Sequence, residues 1–161
     1  MKKLVFIPMV CIGLVLAACA AGTAPGAGEI IVNQSGGAGA LVRECGDREY
    51  VARTSDYIIE GLVEKVESKW NQDKTQIFTY TDLSIEKYVK GAPFQQKKLK
   101  IVTPGGTVGE ISQWVEDQPI FHQGKHVRVY FTEANGGFTI VCAQFGVEDL
   151  DSPSSAAKPG T

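Results

Sequence analysis

The feature that most constrains this fold is the stretch 56–91, in which two long segments of strand-forming residues flank a short polar sequence. In the first segment, 57–70, apolar residues alternate with polar ones, which predicts a half-buried β-strand. The alternation changes phase after Glu64, as a β-bulge would cause, and Gly61 lies close enough to supply the bend. An amphipathic helix is the alternative, because several of the same apolar residues also recur at spacings of three and four.

The second segment, 77–88, is rich in Thr, Tyr, Phe and Ile, which favours a strand more strongly. Shorter strands are predicted at 99–102, 126–131 and 138–143, and an Asn-Gly-Gly turn at 135–137 joins the last two. A long bulged strand that runs into a second long strand is typical of small Greek-key barrels. The sequence therefore predicts an all-β domain, built as a five-stranded barrel of the OB type.

The amino-terminal residues indicate export. Two lysines precede an apolar run that ends at Leu16 and is too short to span a bilayer comfortably as a mature helix. The Leu-Ala-Ala-Cys sequence that ends at Cys19 resembles the lipobox of bacterial lipoprotein signal peptides. This resemblance implies a signal peptide at 1–18, acylation of Cys19, and a lipid anchor on the extracytoplasmic side of a membrane. Ordinary signal cleavage that leaves Cys19 without lipid is the alternative.

Composition divides the remainder of the chain into three parts. Residues 19–40 consist mainly of Ala and Gly and predict a flexible tether, with a brief strand at 29–32 as a lesser alternative. Residues 149–161 have the composition of a disordered tail. One domain of ordinary size remains between them, at 41–148. The net charge of −2 gives no electrostatic basis for nucleic-acid binding, so we expect no nucleic-acid partner.

The four cysteines have different predicted roles. One lies in the predicted signal peptide, and Cys19 is the predicted lipidation site. Cys45 and Cys142 remain in the domain, where they are predicted to form a disulfide because exported domains favour oxidised pairs. Two buried free thiols are the alternative.

Candidate binding residues come from a glycine-rich segment and from two aromatic residues. The segment 103–109 contains three glycines and a proline, which predicts positive φ angles or a close approach of the backbone. A sharp structural turn between strands is the favoured interpretation, and a loop that faces a partner is the alternative from which the candidate binding residues are taken. Exposed aromatic residues also make good anchors, although packing on the barrel is an equal alternative for Trp70. The predicted partner-binding residues are Pro104, Gly105, Gly106, Gly109, Trp70 and Tyr80. Separately, 113–121 is predicted to be a loop or short helix packed by Trp114.

No catalytic constellation stands out in the sequence. The two histidines, His122 and His126, are four residues apart, as in helical metal pairs. Gly124 separates them and His126 opens a predicted strand, so they need not share a face. There is no G-x-S-x-G elbow, and no carboxylate pair is singled out by its spacing. We therefore predict no catalytic residue, no metal and no cofactor; an enzyme with an unrecognised site is a lesser alternative.

Several short motifs follow one another along the domain: Asp-Tyr-Ile-Ile-Glu-Gly at 56–61, Tyr-Val-Lys-Gly at 88–91, the glycine-rich segment, and Phe121, Gly124 and Lys125 before a strand. Together they resemble the netrin-like and TIMP-like domains, OB-fold barrels of secreted proteins, over roughly Cys45 to Gly146. The resemblance implies the barrel fold. It does not carry over protease inhibition, because the inhibitors of that family present a free amino-terminal cysteine on the fold. Here Cys19 is predicted to be acylated and tethered.

These features predict a non-catalytic binding module that is anchored to a membrane outside the cytoplasm. The expected partners are the membrane, through the lipid anchor, and a protein. An inhibitor of an extracellular protease is the main alternative function, and oligonucleotide binding is the least favoured one.

Overall fold

The computed structural model describes residues 29–34 and 43–152. The predicted signal peptide, Cys19 and most of the predicted tether and tail lie outside these residues. In chain order, the described strands and helix are β1 Ile30–Asn33, α1 Arg48–Thr54, β2 Tyr57–Trp70, β3 Ile77–Lys90, β4 Lys98–Pro104, β5 Gly106–Val108, β6 Ile111–Gln113, β7 His126–Ala134, β8 Gly137–Ile140 and β9 Val147–Asp149. Two 3-10 turns, Arg43–Gly46 and Ala143–Gly146, complete the described elements.

Six of the strands close into a barrel. β2, β3, β4, β1, β8 and β7 follow one another around it, and pairing of β2 with β7 completes the closure. β9 pairs with β7 beyond the end of β8, and β5 and β6 form a separate two-stranded hairpin. The predicted all-β, OB-like barrel is confirmed, and its five predicted strands are β2, β3, β4, β7 and β8.

The predicted bulge in the first long strand is also confirmed. The pairing of β2 with β3 shifts register three times, between Ile58 and Ile59, between Glu60 and Gly61, and between Val63 and Lys65. Gly61 is required at its position, because a Cβ atom there would overlap the backbone carbonyl oxygen of Ser84. The extended pairing excludes the helical alternative for this segment.

The sixth barrel strand lies inside the segment predicted to be a tether. β1 runs parallel to β4 and to β8, and its Ile30 and Val32 side chains are buried in the core. The backbone N–H of Gln34 continues this pairing by donating to the carbonyl of Val102 at 2.8 Å. The tether prediction is therefore wrong for these residues, because a four-residue strand with three apolar residues completes the barrel despite its Ala- and Gly-rich surroundings.

The carboxyl-terminal boundary also shifts. Asp149 ends β9, and the N–H of Leu150 donates to the carbonyl of His126 at 2.9 Å. The Asp151 carboxylate then accepts from the N–H of His126 at 2.9 Å, and this hydrogen bond holds the pKa of Asp151 below its ordinary value. Residues 149–152 thus belong to the domain and not to a disordered tail.

The barrel interior is filled by one apolar cluster. Its fully buried members come from five strands around the barrel: Val32, Ile59, Val63, Leu83, Ile101, Val129 and Phe131. Towards one end, Tyr57 and Phe131 stack with ring centroids 5.2 Å apart. Beside them, Asp56 accepts hydrogen bonds from the Thr132 hydroxyl and from the Glu133 N–H, and these bonds lower the pKa of the Asp56 carboxyl.

A disulfide joins Cys45 to Cys142, which confirms the predicted pair. The bond connects the 3-10 turn before α1 to the residues that follow β8. α1 itself was not predicted, although a signal for it is present: Asp47 caps the helix by accepting from the N–H of Glu49 at 2.9 Å. No helix in the described part of the chain is long and apolar enough to cross a membrane.

Candidate binding cleft

A cleft of about 460 Å³ opens between the barrel, the β5–β6 hairpin and the segment 114–121. This volume lies in the range of about 300–1,000 Å³ that is typical of small-molecule sites. The cleft is lined by Val66, Ser68, Thr79, Thr103, Pro104, Gly105, Gly106, Thr107, Ser112, Gln113, Trp114, Val115, Asp117, Gln118, Pro119, Ile120, Phe121 and Gln144.

The glycines at its base fix the hairpin against the barrel. Gly105 and Gly106 have φ angles of 93° and 133°, which residues other than glycine rarely adopt. A Cβ atom at Gly106 would overlap the hydroxyl oxygens of Ser68 and Thr79, so the backbone approaches the barrel wall closely there. The Gly105 carbonyl accepts from the Thr79 hydroxyl at 2.8 Å. These glycines therefore shape the cleft through their backbone.

The structure brings together only part of the predicted binding set. Pro104, Gly105 and Gly106 line the cleft, whereas Gly109, Trp70 and Tyr80 do not. Gly109 lies in the turn between β5 and β6, with a φ angle of 61°. Trp70 is the last residue of β2 and pairs with Ile77, and Tyr80 follows Thr79 and so points to the opposite face of β3. Both aromatic side chains are half-buried.

Two residues that sequence reasoning did not select dominate the cleft rim. Trp114 is 79% exposed and Ile120 is 73% exposed, although both are large and apolar. The prediction that Trp114 packs its segment is wrong, because Pro119 and Phe121 are the buried residues there. A signal was available: Trp114 and Val115 are consecutive, so in an extended chain they cannot both face the barrel.

The segment that carries Trp114 and Ile120 is held by hydrogen bonds at Gln113 and Asp117, and the buried residues Pro119 and Phe121 flank Ile120. The Gln113 side chain accepts from the N–H of Ile77 at 2.6 Å and donates to the carbonyl of Thr75 at 3.2 Å. Further along, Asp117 has a left-handed φ of 61°, and its carbonyl accepts from the N–H of Gln144 at 2.9 Å. Gln144 also donates its side-chain amide to the Asp117 carboxylate at 3.2 Å. The rim is thus held in place before any ligand arrives.

The polar side chains of the cleft are almost all uncharged. Five hydroxyl residues and three glutamines line it, and Asp117 is the one ionisable residue among the described lining residues. Ser68 and Thr79 form a hydroxyl pair at 2.9 Å, and Thr107 and Ser112 form a second pair at 2.8 Å. The amide oxygen of Gln118 is buried without a hydrogen-bond partner.

The strongest charge network lies elsewhere, on the outer side of β2, β7 and β9. Arg128 contacts Glu60 at 2.5 Å and Glu148 at 3.0 Å, and Lys87 contacts Glu60 at 3.0 Å. Hydrogen bonds from Arg128 and Lys87 lower the pKa of Glu60, and the bond to Glu60 raises the pKa of Arg128. The opposite charges are mutually paired, so the network is consistent with a structural role.

The two histidines do not form part of a metal site in the described residues, among which no group of three or more His, Cys, Asp or Glu side chains could hold an ion. His126 lies 3.2 Å from the Asp151 carboxylate and 3.6 Å from that of Glu86. His122 lines a second recess, of about 280 Å³, that adjoins the cleft.

Fold and cleft together define a small, closed β-barrel domain with a preformed, nearly uncharged surface cleft. Comparison with known proteins adds no family to this description, because no family model matches the chain and the search of curated proteins found no significant match.

Proposed function

We propose that this protein is a non-catalytic binding module, held at the outer side of a membrane by a lipid on Cys19, whose ligand enters the cleft beside Trp114. The observation that carries the proposal is the pair of large apolar side chains, Trp114 and Ile120, that stand 79% and 73% exposed on a pinned rim. Exposed aromatic residues held in fixed positions are the side chains that contribute most to binding free energy in known interfaces.

The chemistry of the lining supports binding over catalysis. A serine or threonine nucleophile needs a general base within hydrogen-bond reach. Instead, Ser68 is paired with Thr79, and Thr107 is paired with Ser112. Strongly shifted groups such as Arg128 lie outside the cleft.

The anchoring part of the proposal comes from the sequence around Cys19, which lies outside the described residues. It is tested by metabolic labelling with radioactive palmitate. We expect the natural protein to be labelled and to remain with the membrane, and a Cys19→Ala variant to lose both the label and the membrane association. Equal labelling of the two proteins would contradict it.

The cleft is tested with the full chain carrying Cys19→Ala, immobilised and exposed to cross-linked envelope fractions. Trp114→Ala and Ile120→Ala should each reduce the captured ligand, while Val89→Ala should leave capture unchanged. Val89 is a suitable control because it is 47% exposed but lies on β3 outside the cleft. Capture that survives both cleft variants would exclude this cleft as the binding site. A captured protease whose activity falls on binding would instead favour the inhibitor function.

A further inference from the structure

The residues that line the cleft favour one class of ligand over others. The inference drawn from them rests on the proposed binding function. We propose that its ligand is a neutral oligosaccharide, one of whose rings stacks on the indole of Trp114 while its hydroxyl groups bind the hydroxyl and amide groups of the lining.

Charge excludes most other polar ligands. Phosphate groups and acidic polymers are held by Arg, Lys or arrays of backbone N–H groups, and their affinity comes largely from cations. Among the described lining residues there is no Lys, Arg or His, and Asp117 carries the one acidic group. The Asp117 carboxylate already accepts from the Gln144 amide at 3.2 Å. A ligand matched to this lining is therefore polar but carries no net charge.

The hydroxyl pairs leave both donor and acceptor capacity for a ligand. Thr79 gives its proton to the Gly105 carbonyl, so Ser68 must donate within its pair with Thr79, which leaves lone pairs on Ser68. Thr107 and Ser112 bring two protons to one shared hydrogen bond, so one of the two protons is left to donate. A sugar hydroxyl is both donor and acceptor, and it matches such a mixture.

The buried amide oxygen of Gln118 points to the same class. Its amide N–H donates to the Glu116 carbonyl at 3.4 Å, but its oxygen has no partner. An unsatisfied buried acceptor destabilises the folded protein, so such groups are uncommon and call for an explanation. Gln118 lines both the cleft and the adjoining recess, so this oxygen lies beside the space that a ligand hydroxyl would occupy. A purely apolar ligand such as an acyl chain would leave it unpaired.

Trp114 supplies an apolar contact surface, which the hydroxyl and amide groups of the cleft lining do not provide. Pyranose rings have faces made of C–H groups, and these faces pack well on a flat, exposed aromatic ring. The indole of Trp114 is 79% exposed at the rim, and Ile120 extends the apolar surface beside it. The cleft thus combines one stacking platform with a polar wall, which suits a ligand that has an apolar face and a hydroxylated edge.

The surroundings favour a chain over a single sugar. The adjoining recess of about 280 Å³ shares Gln118, Pro119, Ile120 and Gln144 with the cleft. Its lining also includes Lys125 and Asp149, whose opposite charges lie 3.6 Å apart and are paired with each other. A linear oligosaccharide could cross these shared residues and occupy both depressions. We therefore expect affinity to rise from monosaccharide to tetrasaccharide.

The test uses the full chain with Cys19→Ala on an array of neutral and acidic glycans, followed by titration calorimetry with glucose-, mannose- and N-acetylglucosamine-based tetrasaccharides. We expect at least one neutral class to bind, with Trp114→Ala weakening it by at least about ten-fold. Trp114→Phe should retain more of the affinity, Ser112→Ala should weaken it less, and Val89→Ala should not change it. Binding should be nearly equal at about 50 and 500 mM salt, because a neutral ligand forms no ion pair and the Lys125 and Asp149 charges of the recess are already paired with each other.

The outcomes separate this inference from the proposed function. Selective binding of acidic glycans, or a strong loss of affinity in salt, would overturn the saccharide inference. The saccharide inference would also be overturned if no glycan binds and the captured ligand is a protein or peptide that requires Trp114. The proposed binding function would then still hold. If no ligand of any class requires Trp114 or Ile120 for binding, both the saccharide inference and the proposed binding function are overturned. The melting temperature of each variant is compared with that of Val89→Ala, which shows whether a loss of binding is due to unfolding.

Discussion

The placement of β1 in the barrel can be tested by truncating two neighbouring side chains of the same strand. Val32 is fully buried between β4 and β8, whereas Ile31 points outward and is 40% exposed. Val32→Ala and Ile31→Ala therefore change adjacent residues of one short strand but remove carbon atoms from opposite environments. If β1 belongs to the barrel, only the first substitution removes atoms from the core.

The magnitude follows from the atoms removed. Val32→Ala deletes two methyl-sized groups, which costs about 1.6 kcal/mol of transfer free energy at about 0.8 kcal/mol per buried carbon. The cavity left behind adds to this cost, because the surrounding core relaxes only partly. We expect a loss of about 2–3 kcal/mol in the free energy of unfolding for Val32→Ala. Ile31→Ala should cost less than about 1 kcal/mol, since its side chain is already partly in water.

Equilibrium unfolding in urea measures both values, using the full chain with Cys19→Ala as reference. The slope of free energy against urea concentration should stay the same, because the same barrel unfolds in each protein. Equal effects of the two substitutions, or no effect of Val32→Ala, would refute the argument. In that case residues 30–33 would behave as part of the tether that composition predicts.

Further predictions follow from the disulfide, an acidic residue and a glycine. Double replacement of Cys45 and Cys142 by alanine should lower the free energy of unfolding by about 2–5 kcal/mol, because the bond closes a loop of 97 residues. Urea unfolding measures the loss, and a change near zero would contradict it. Asp56→Asn should lower stability at neutral pH and flatten its acid dependence in urea unfolding at several pH values. The pKa of Asp56 in the folded protein lies below its ordinary value of 3.8, so its contribution to stability is fully present above about pH 3.8 and is lost as the pH falls through the folded-state pKa. An acid dependence of stability that is the same in Asp56→Asn as in the natural protein would contradict this. Gly106→Ala should sharply lower the melting temperature, whereas Gly46→Ala, where a Cβ atom meets nothing within 4 Å, should not; similar melting temperatures would refute the close approach.

The parts of the fold that could be predicted are those set by local pattern. Alternation in 57–70 gave the strand, and its phase change near Gly61 gave the bulge, because both depend on residues adjacent in the chain. The disulfide joins residues 97 positions apart, but it was predictable by elimination, because only Cys45 and Cys142 remained in a domain that is predicted to be exported. In both cases the relevant information lies in the sequence itself and does not depend on where distant strands pack.

The parts that could not be predicted depend on distant contacts. β1 is a short apolar run in Ala- and Gly-rich surroundings, and only the space between β4 and β8 makes it a buried strand. Trp114 is exposed because Gln113 and Asp117 pin its segment to β3 and to the turn at Gln144, which are remote in sequence. Side-chain type alone favoured packing of Trp114, so the most exposed aromatic residue of the cleft was overlooked.

If Cys19 is acylated as proposed, the position of β1 also sets how far the domain can lie from the membrane. With an acylated Cys19, about eleven residue steps separate the lipid from Ile30, a span of at most about 40 Å, whereas a tether that ended at residue 40 would reach about 75 Å. Tension on the lipid would act along β1, whose four residues are paired in register with β4. The strand would then be loaded in shear, outside the loop that the Cys45–Cys142 bond closes. The first part of the domain to yield to force would therefore be the strand that completes the barrel.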